Sequence, residues 1–255
     1  MLAEQNYRFR LNKVYIDLLF CRQIPLSLPG KSIWIMCLSD SIRLTSYSAF
    51  LFDFDYTLAD SSEGILECFR IVFRRHHWEN IPDEMIKSTI GMTMDDSFSF
   101  LTGIKDKEIL ASLKAEYRRE ADEIMTDNTQ LYPDAVSFVK WLKQHGMKTG
   151  IVSTKTSRRI REAVDRYRIN GLFDMVVGME DVQAAKPDPE GIFLSMRRLD
   201  VSPEQTLYFG DSIIDAKTAE AAGTGFIGVT TGVTSKEKLQ KFPHLQIVAS
   251  LAELL

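Results

Sequence analysis

Two aspartates at the end of an apolar run are the residues of this chain best suited to chemistry. Residues 49–52 read Ala-Phe-Leu-Phe, which is typical of a buried strand, and Asp53 and Asp55 follow directly. A carboxylate there is costly to bury unless a cation lies against it. In open α/β sheets, ligands bind at this carboxyl end of the strands. Two such carboxylates can share a reaction, one as a nucleophile and one as an acid and base.

Three later segments place further polar side chains at the ends of strand-like or turn-like stretches. In chain order they supply Ser153 and Thr154, then Lys186 before a proline-started helix, then Asp211 and Asp215. Each segment alone has an ordinary structural explanation, as a helix N-cap, a solvated surface charge or a turn. The ordered set of four segments is far more specific than any one of them.

Together the four segments resemble the motifs of the haloacid dehalogenase-like hydrolase superfamily, over residues 46–255. Asp-x-Asp-x-Thr-Leu at 53–58 looks like the first motif, and the later segments look like the second, third and fourth. The long interval between the first two motifs looks like the subgroup that carries a helical cap there. Tyr132-Pro133-Asp134 and Lys186-Pro187-Asp188-Pro189 resemble the phosphoglycolate phosphatase-like branch most closely.

Tyr56 departs from the family pattern, because most members have Gly at that position of the first motif. A tyrosine fits there when its backbone lies outside the left-handed region. We therefore expect ordinary backbone angles at Tyr56, and a side chain that narrows the site.

The resemblance implies a Mg²⁺-dependent phosphatase that works through an aspartyl-phosphate. Asp53 would be the nucleophile, and Asp55 would protonate the leaving oxygen and later take a proton from water. Mg²⁺ would bind the Asp53 carboxylate, the backbone carbonyl of Asp55, and Asp211, since it prefers oxygen ligands. Asp215 would lie outside this ligand set and orient Lys186 or a bound water.

The same resemblance implies how the phosphate group is held. Ser153 would donate a hydrogen bond to a phosphate oxygen, together with N–H groups around Thr154 at the start of the next helix. Lys186 would stabilise the transition state and keep Asp53 ionised. The expected substrate is a small phosphorylated metabolite similar to phosphoglycolate, and the oligomeric state is left open.

Other functions with the same motifs are less well supported. A phosphomutase of the β-phosphoglucomutase type remains possible, although Thr57 looks like the phosphatase version of the first motif. A dehalogenase is disfavoured by Asp55, because a leaving halide needs no acid. A non-catalytic regulatory module is disfavoured because a scaffold gains nothing from burying so many charges.

Composition fits an ordinary enzyme and excludes several classes. The chain has 255 residues, a formal net charge of −4 and 45% hydrophobic residues. We expect no nucleic-acid partner, because there is no strong basic excess, and no membrane partner, because the apolar runs near the N-terminus are too short to span a bilayer. The three cysteines show neither a disulfide framework nor metal-ligand spacing, so we expect a cytoplasmic location.

The elements that must position these residues follow from hydrophobic periodicity. Strand and helix patterns alternate after Tyr132, which predicts an α/β fold with a doubly wound, Rossmann-like parallel sheet. Residues 46–60 and 130–255 would form this core. Residues 61–129 show four helical patterns and no strand signal, so we expect an inserted four-helix cap. Residues 1–45 carry no motif and are interpreted as a loosely held, disordered extension, with a helix at 7–20 as an alternative.

Two local expectations concern the cap and its surroundings. We expect the loop Gly91-Met92-Thr93 to face the site. The arginines Arg158, Arg159 and Arg161 cluster in a helical stretch after Ser157, and we interpret them as a solvated helix face.

Overall fold

The structure is a computed structural model that describes residues 23–28, 31–36, 44–78 and 80–255. By its contacts the chain divides into two units, Met1–Arg43 and Leu44–Leu255. In the first unit, strands β1 (Gln23–Leu28) and β2 (Lys31–Met36) form an antiparallel pair. Neither of these strands was predicted from the sequence. The alternative helix at 7–20 lies outside the described residues. No helix in the described ranges is long and apolar enough to cross a membrane.

The second unit contains the predicted alternation of strands and helices. Its strands are β3 (Ala49–Phe52), β4 (Ala59–Asp60), β5 (Gln130–Leu131), β6 (Lys148–Val152), β7 (Met175–Val177), β8 (Thr206–Gly210), β9 (Gly225–Val229) and β10 (Gln246–Val248). Its α-helices are α1 (Ser62–Arg75), α2 (Asp83–Lys87), α3 (Met94–Thr102), α4 (Lys107–Ile124), α5 (Pro133–Gln144), α6 (Ser157–Arg166), α7 (Glu190–Leu199), α8 (Ile213–Ala222) and α9 (Lys236–Leu239).

Six of these strands form one parallel sheet in the order β10-β9-β8-β3-β6-β7. The first strand of the unit, β3, lies in the middle, paired with β6 on one side and β8 on the other. All four residues of β3 are completely buried, and Phe52 stacks on Phe209 of β8 with ring centroids 4.7 Å apart. The chain order reverses at β3, so its carboxyl end is the switch point where such sheets bind ligands. The predicted fold class is confirmed.

Helices α1 to α4 enclose a hydrophobic core of their own. The aromatic rings of Phe69, Phe98 and Tyr117 meet in this core. The centroid of the Phe69 ring lies 5.0 Å from the centroid of each of the other two rings. Helix α3 begins at its N-cap Thr93 and ends at Gly103, whose φ of 76° favours glycine. Within residues 61–129 the described chain thus forms the four helices that the sequence predicts.

The two segments that connect these helices to the sheet are hydrogen-bonded to each other. Strands β4 and β5 form a short antiparallel pair that joins Ala59 to Leu131 and Asp60 to Gln130. Neither strand was predicted from the sequence, because two-residue strands leave no periodic pattern.

Helix α6 of the sheet layer is joined to the cap by ion pairs. Arg158 and Arg159 both contact Asp122 of α4, and each also pairs with Glu162 of α6. The interpretation of a solvated arginine face holds for Arg161 but is wrong for Arg159, which is only 8% exposed. The reason is that its guanidinium reaches Asp122 of the cap helix α4 as well as Glu162 of its own helix.

The ion pairs at Asp122 predict a measurable effect on cap mobility. Asp122→Asn removes the shared acceptor of the two arginines, which costs about 1 kcal/mol for a partly exposed cluster. We expect amide hydrogen exchange near the α4–α6 contact to accelerate roughly fivefold.

A matched control is Asp83→Asn, which removes the partner of Arg70 within the cap alone. That variant should leave exchange in α6 unchanged. Equal exchange in α6 for Asp122→Asn and the original protein would contradict the role of Asp122.

Candidate active site

The sheet places Asp53 immediately after its central strand. The backbone N–H of Asp53 donates to the carbonyl of Phe209 over 2.8 Å, which continues the pairing with β8 by one residue. The side chain is 2% exposed. The chain then turns sharply, with the N–H groups of Leu58 and Ala59 both donating to the carbonyl of Phe54. This turn brings Asp55 back beside the strand end, where its carboxylate faces a cavity under the cap.

Lys186 provides the cation that burial of Asp53 requires. Its Nζ lies 3.0 Å from Asp53 Oδ1 and 2.6 Å from Asp215 Oδ1, and it donates to the Tyr208 hydroxyl over 3.0 Å. Both Asp215 and Tyr208 are fully buried. Asp215 and the Tyr208 hydroxyl therefore fix the Lys186 ammonium beside Asp53, at the end of β3.

The capping of helix α8 occupies the other oxygen of Asp215. Asp215 Oδ2 accepts from the Ser212 N–H at 3.1 Å and from the Ser212 hydroxyl at 2.5 Å. Both carboxylate oxygens of Asp215 are thus hydrogen-bonded within the protein. This arrangement fits the expected role of Asp215, which is to orient Lys186 from outside a metal ligand set.

The same strand ends provide oxygen ligands for a divalent cation. Carboxylate oxygens of Asp53, Asp211 and Asp215 lie within 4.8 Å of one another, and all three residues are buried. Asp53 Oδ1 accepts no hydrogen bond of good geometry from the described residues, although the Lys186 ammonium is close. Buried carboxylates with unused oxygens are the ligands a hard ion such as Mg²⁺ prefers. The residues Asp53 and Asp211 therefore fit the expected metal.

The pKa values show how strongly this site is biased toward negative charge. Burial raises the pKa of Asp53 to about 6, although the Lys186 ammonium acts to lower it. Burial and the neighbouring Asp215 and Asp53 raise the pKa of Asp211 well above its usual range. Burial acts to lower the pKa of Lys186, but the carboxylates of Asp215 and Asp53 outweigh it, so that pKa is raised. A bound cation would relieve the excess of buried carboxylates over ammonium.

Ser153 and Thr154 lie on the neighbouring strand end. The Ser153 N–H donates to the carbonyl of Val177, and this serine is mostly buried. The Thr154 hydroxyl donates to the carbonyl of Gly91 in the cap, over 3.1 Å. The loop Gly91-Met92-Thr93 thus lies at the site, as expected, and it lines the same cavity as Asp55.

Tyr56 adopts the conformation that the sequence analysis did not expect. Its φ is 60°, in the left-handed region, and the expectation of ordinary backbone angles is wrong. The turn is fixed on both sides, because the Tyr56 N–H donates to the carbonyl of Ala59 over 2.7 Å and the Tyr56 carbonyl accepts from the Thr231 hydroxyl. These contacts offset the cost of a non-glycine residue at this angle.

The side chain of Tyr56 is also buried. It is 7% exposed, and burial raises its pKa to about 12. Of the described residues, those that line the cavity under the cap do not include Tyr56. The expected narrowing by Tyr56 is therefore not found in this cavity.

The cavity between cap and sheet contains a residue that the sequence analysis missed. It has a volume of about 530 Å³ and is lined by Asp55, the Gly91 loop and Lys155. Lys155 Nζ lies 2.8 Å from Asp55 Oδ1. The available signal was its position, since it follows Ser153 and Thr154 directly, and the loop that brings those residues to the site brings Lys155 as well.

Comparison with known proteins agrees with this geometry. The family model for haloacid dehalogenase-like hydrolases matches residues 50–229, and the chain belongs to this family. The protein is accordingly a hydrolase, as the motifs implied.

Individual relatives cover most of the chain. A pyrophosphatase, PpaX, from Bacillus mycoides is 27% identical over 205 residues, which are 80% of this chain and 94% of that protein. A solved structure from Bacteroides fragilis, whose name places it among the haloacid dehalogenase-like hydrolases, is 48% identical with a TM-score of 0.81 and covers 82% of this chain and 100% of that one. A predicted phosphoglycolate phosphatase from Haemophilus somnus, at 20% identity and a TM-score of 0.73, covers 82% of this chain and 96% of that one and shares the fold.

The raised pKa of Asp53 predicts that this residue destabilises the metal-free protein. A folded pKa of about 6 against 3.8 in the unfolded chain means that folding favours the protonated form. The free energy of unfolding therefore falls as pH rises from about 4 to about 6, and the loss is complete above that range. Asp53→Asn should raise the melting temperature in EDTA by a few degrees at pH 7.5 and by much less at pH 4.5. Equal melting temperatures at both pH values would contradict this.

The packing of Gly232 predicts an effect on metal binding. A Cβ at this position would lie 1.9 Å from Asp211 Oδ2 and 3.1 Å from the Tyr56 Cβ, so Gly232→Ala must displace the Asp211 carboxylate. We expect the Mg²⁺ affinity measured by calorimetry to fall by about tenfold or more. Gly171→Ala is the matched control, because its Cβ would meet nothing within 4 Å. Unchanged affinity in Gly232→Ala would argue against Asp211 as a ligand.

Proposed function

We propose that this protein is a Mg²⁺-dependent phosphatase that hydrolyses a small phosphomonoester through an aspartyl-phosphate on Asp53. The observation that carries the proposal is the pairing of a buried, otherwise unused Asp53 oxygen with the Lys186 ammonium, 3.0 Å away at the switch point of the sheet. The family assignment supports hydrolysis. The names of the relatives, a pyrophosphatase and a phosphoglycolate phosphatase, support phosphate compounds as substrates.

In the first step Asp53 attacks phosphorus, and the bond from phosphorus to the ester oxygen breaks. Asp55 gives its proton to the departing oxygen, because its carboxyl group faces the cavity in which the leaving group must lie. Negative charge on the phosphate oxygens is stabilised by Lys186, and by Ser153 and the backbone around Thr154. Asp215 acts only through Lys186, whose ammonium it holds at 2.6 Å.

In the second step water hydrolyses the aspartyl-phosphate. Asp55, which has lost its proton in the first step, accepts a proton from the attacking water, and Asp53 leaves as a carboxylate. Asp53, the Asp55 backbone carbonyl and Asp211 would hold Mg²⁺, which when bound would neutralise charge between the phosphate and the carboxylates.

The cap has the role of selecting the leaving group and excluding water. The Thr154–Gly91 hydrogen bond joins cap and site directly, and the cavity beneath is large enough for a small metabolite. Phosphoglycolate-like compounds are the substrates we favour on this basis. A cytoplasmic location stays a prediction.

The experiment that tests this function is phosphate release from a panel of phosphorylated metabolites, with Mg²⁺ and with EDTA. We expect Mg²⁺-dependent release by the original protein and a loss of at least about 1000-fold in Asp53→Asn, because the nucleophile is gone. The melting temperature of the variant serves as the control for folding. Release that survives in Asp53→Asn would refute Asp53 as the nucleophile, and release only with a sugar bisphosphate added would indicate a phosphomutase.

A further inference from the structure

Lys155 is a cation to which the proposed mechanism gives no task. Its side chain is only 9% exposed, and its ammonium lies 2.8 Å from Asp55 Oδ1 on the wall of the cavity. Asp55 is the residue assigned to protonate the leaving oxygen. The Lys155 ammonium therefore lies beside the space that the rest of the leaving group must occupy.

The position of this ammonium is built into the loop after β6. The Lys155 N–H donates to the Ser153 hydroxyl oxygen over 3.3 Å, and its carbonyl accepts from the N–H of Met179 over 3.1 Å. The side chain passes the ring of Phe54, with Nζ 5.7 Å from the centroid. A lysine fixed at both backbone and side chain loses little further freedom when it binds a ligand.

Other basic residues of the cavity wall are already committed or exposed. Lys114 pairs with Asp95 over 2.6 Å, and Arg158 and Arg159 pair with carboxylates of the α4–α6 contact. Arg118 has no carboxylate within ion-pair distance among the described residues, but it is exposed. Among the basic residues that line this cavity in the described part of the chain, Lys155 is thus the one that pairs with a residue of the proposed reaction.

The reaction requires Asp55 to share its carboxyl group with the leaving oxygen. When Asp55 does so, the nearly buried ammonium of Lys155 needs a second hydrogen-bond acceptor. An incompletely paired charge is unfavourable away from water. A neutral leaving group offers only weak acceptors, whereas an anionic oxygen on the leaving group supplies a charge-assisted one.

We propose that Lys155 binds an anionic substituent of the leaving group, and that the enzyme thereby selects phosphate compounds whose leaving group carries its own negative charge. The proposal rests on the phosphatase function above and assigns recognition of the leaving group to one residue. A carboxylate and a second phosphate share the required chemistry.

The test compares two substrates of nearly equal size, 2-phosphoglycolate and its uncharged amide, 2-phosphoglycolamide. The original protein should prefer the carboxylate by about tenfold or more in kcat/KM. Lys155→Gln should lower kcat/KM for the carboxylate by about tenfold, mainly through KM, and for the amide by less than about twofold. Lys155→Arg should restore most of the preference, because it keeps the charge. Pyrophosphate measured in parallel shows whether a phosphate leaving group depends on Lys155 more than a carboxylate does.

Lys114→Gln is the matched control, since it removes one positive charge from the same cavity wall and should leave the substrate preference unchanged. An equal loss on both substrates in Lys155→Gln, at an unchanged melting temperature, would mean that Lys155 only supports Asp55 and would overturn the proposal. The proposal would also be overturned if the original protein showed no preference for 2-phosphoglycolate over its amide, and this result requires no variant. Failure of the phosphatase function is distinct, because then neither substrate releases phosphate.

Discussion

The burial of three carboxylates against one ammonium is the constraint on which the rest of this structure depends. Lys186 lies between Asp53 and Asp215, and no second cation pairs with this cluster among the described residues. Such a cluster is tolerable only where a rigid frame holds it, and the frame is the centre of a parallel sheet whose strand β3 is wholly buried. The excess of buried carboxylates would favour the binding of a divalent cation, which the proposed chemistry needs.

The frame and the cluster were predictable from sequence because both arise from short, local patterns. An apolar run followed by Asp53, and a second one followed by Asp211, place these residues at strand ends, and parallel pairing brings strand ends together. The cap helices were predictable because each carries a helical apolar stripe, closed in α3 by Thr93 and Gly103.

The features that were not predicted from the sequence depend on contacts between segments that are distant along the chain. Arg159 is buried where it pairs with Asp122 of α4, and Lys155 contacts Asp55, one hundred positions earlier in the chain. The left-handed Tyr56 is imposed by hydrogen bonds from its turn and from Thr231. No pattern within a window of neighbouring residues encodes such contacts, so single-sequence reasoning misses them.

The β4–β5 pair has a consequence for how the cap can move. The polypeptide crosses between sheet and cap twice, and both crossings are tied together at Ala59 and Leu131, next to the turn in which the Tyr56 N–H donates to Ala59. The two crossings therefore cannot move independently of each other while this pairing is intact. Because Asp55 belongs to that same turn, a change in the angle of the cap would also reorient the carboxyl group of the proposed proton donor.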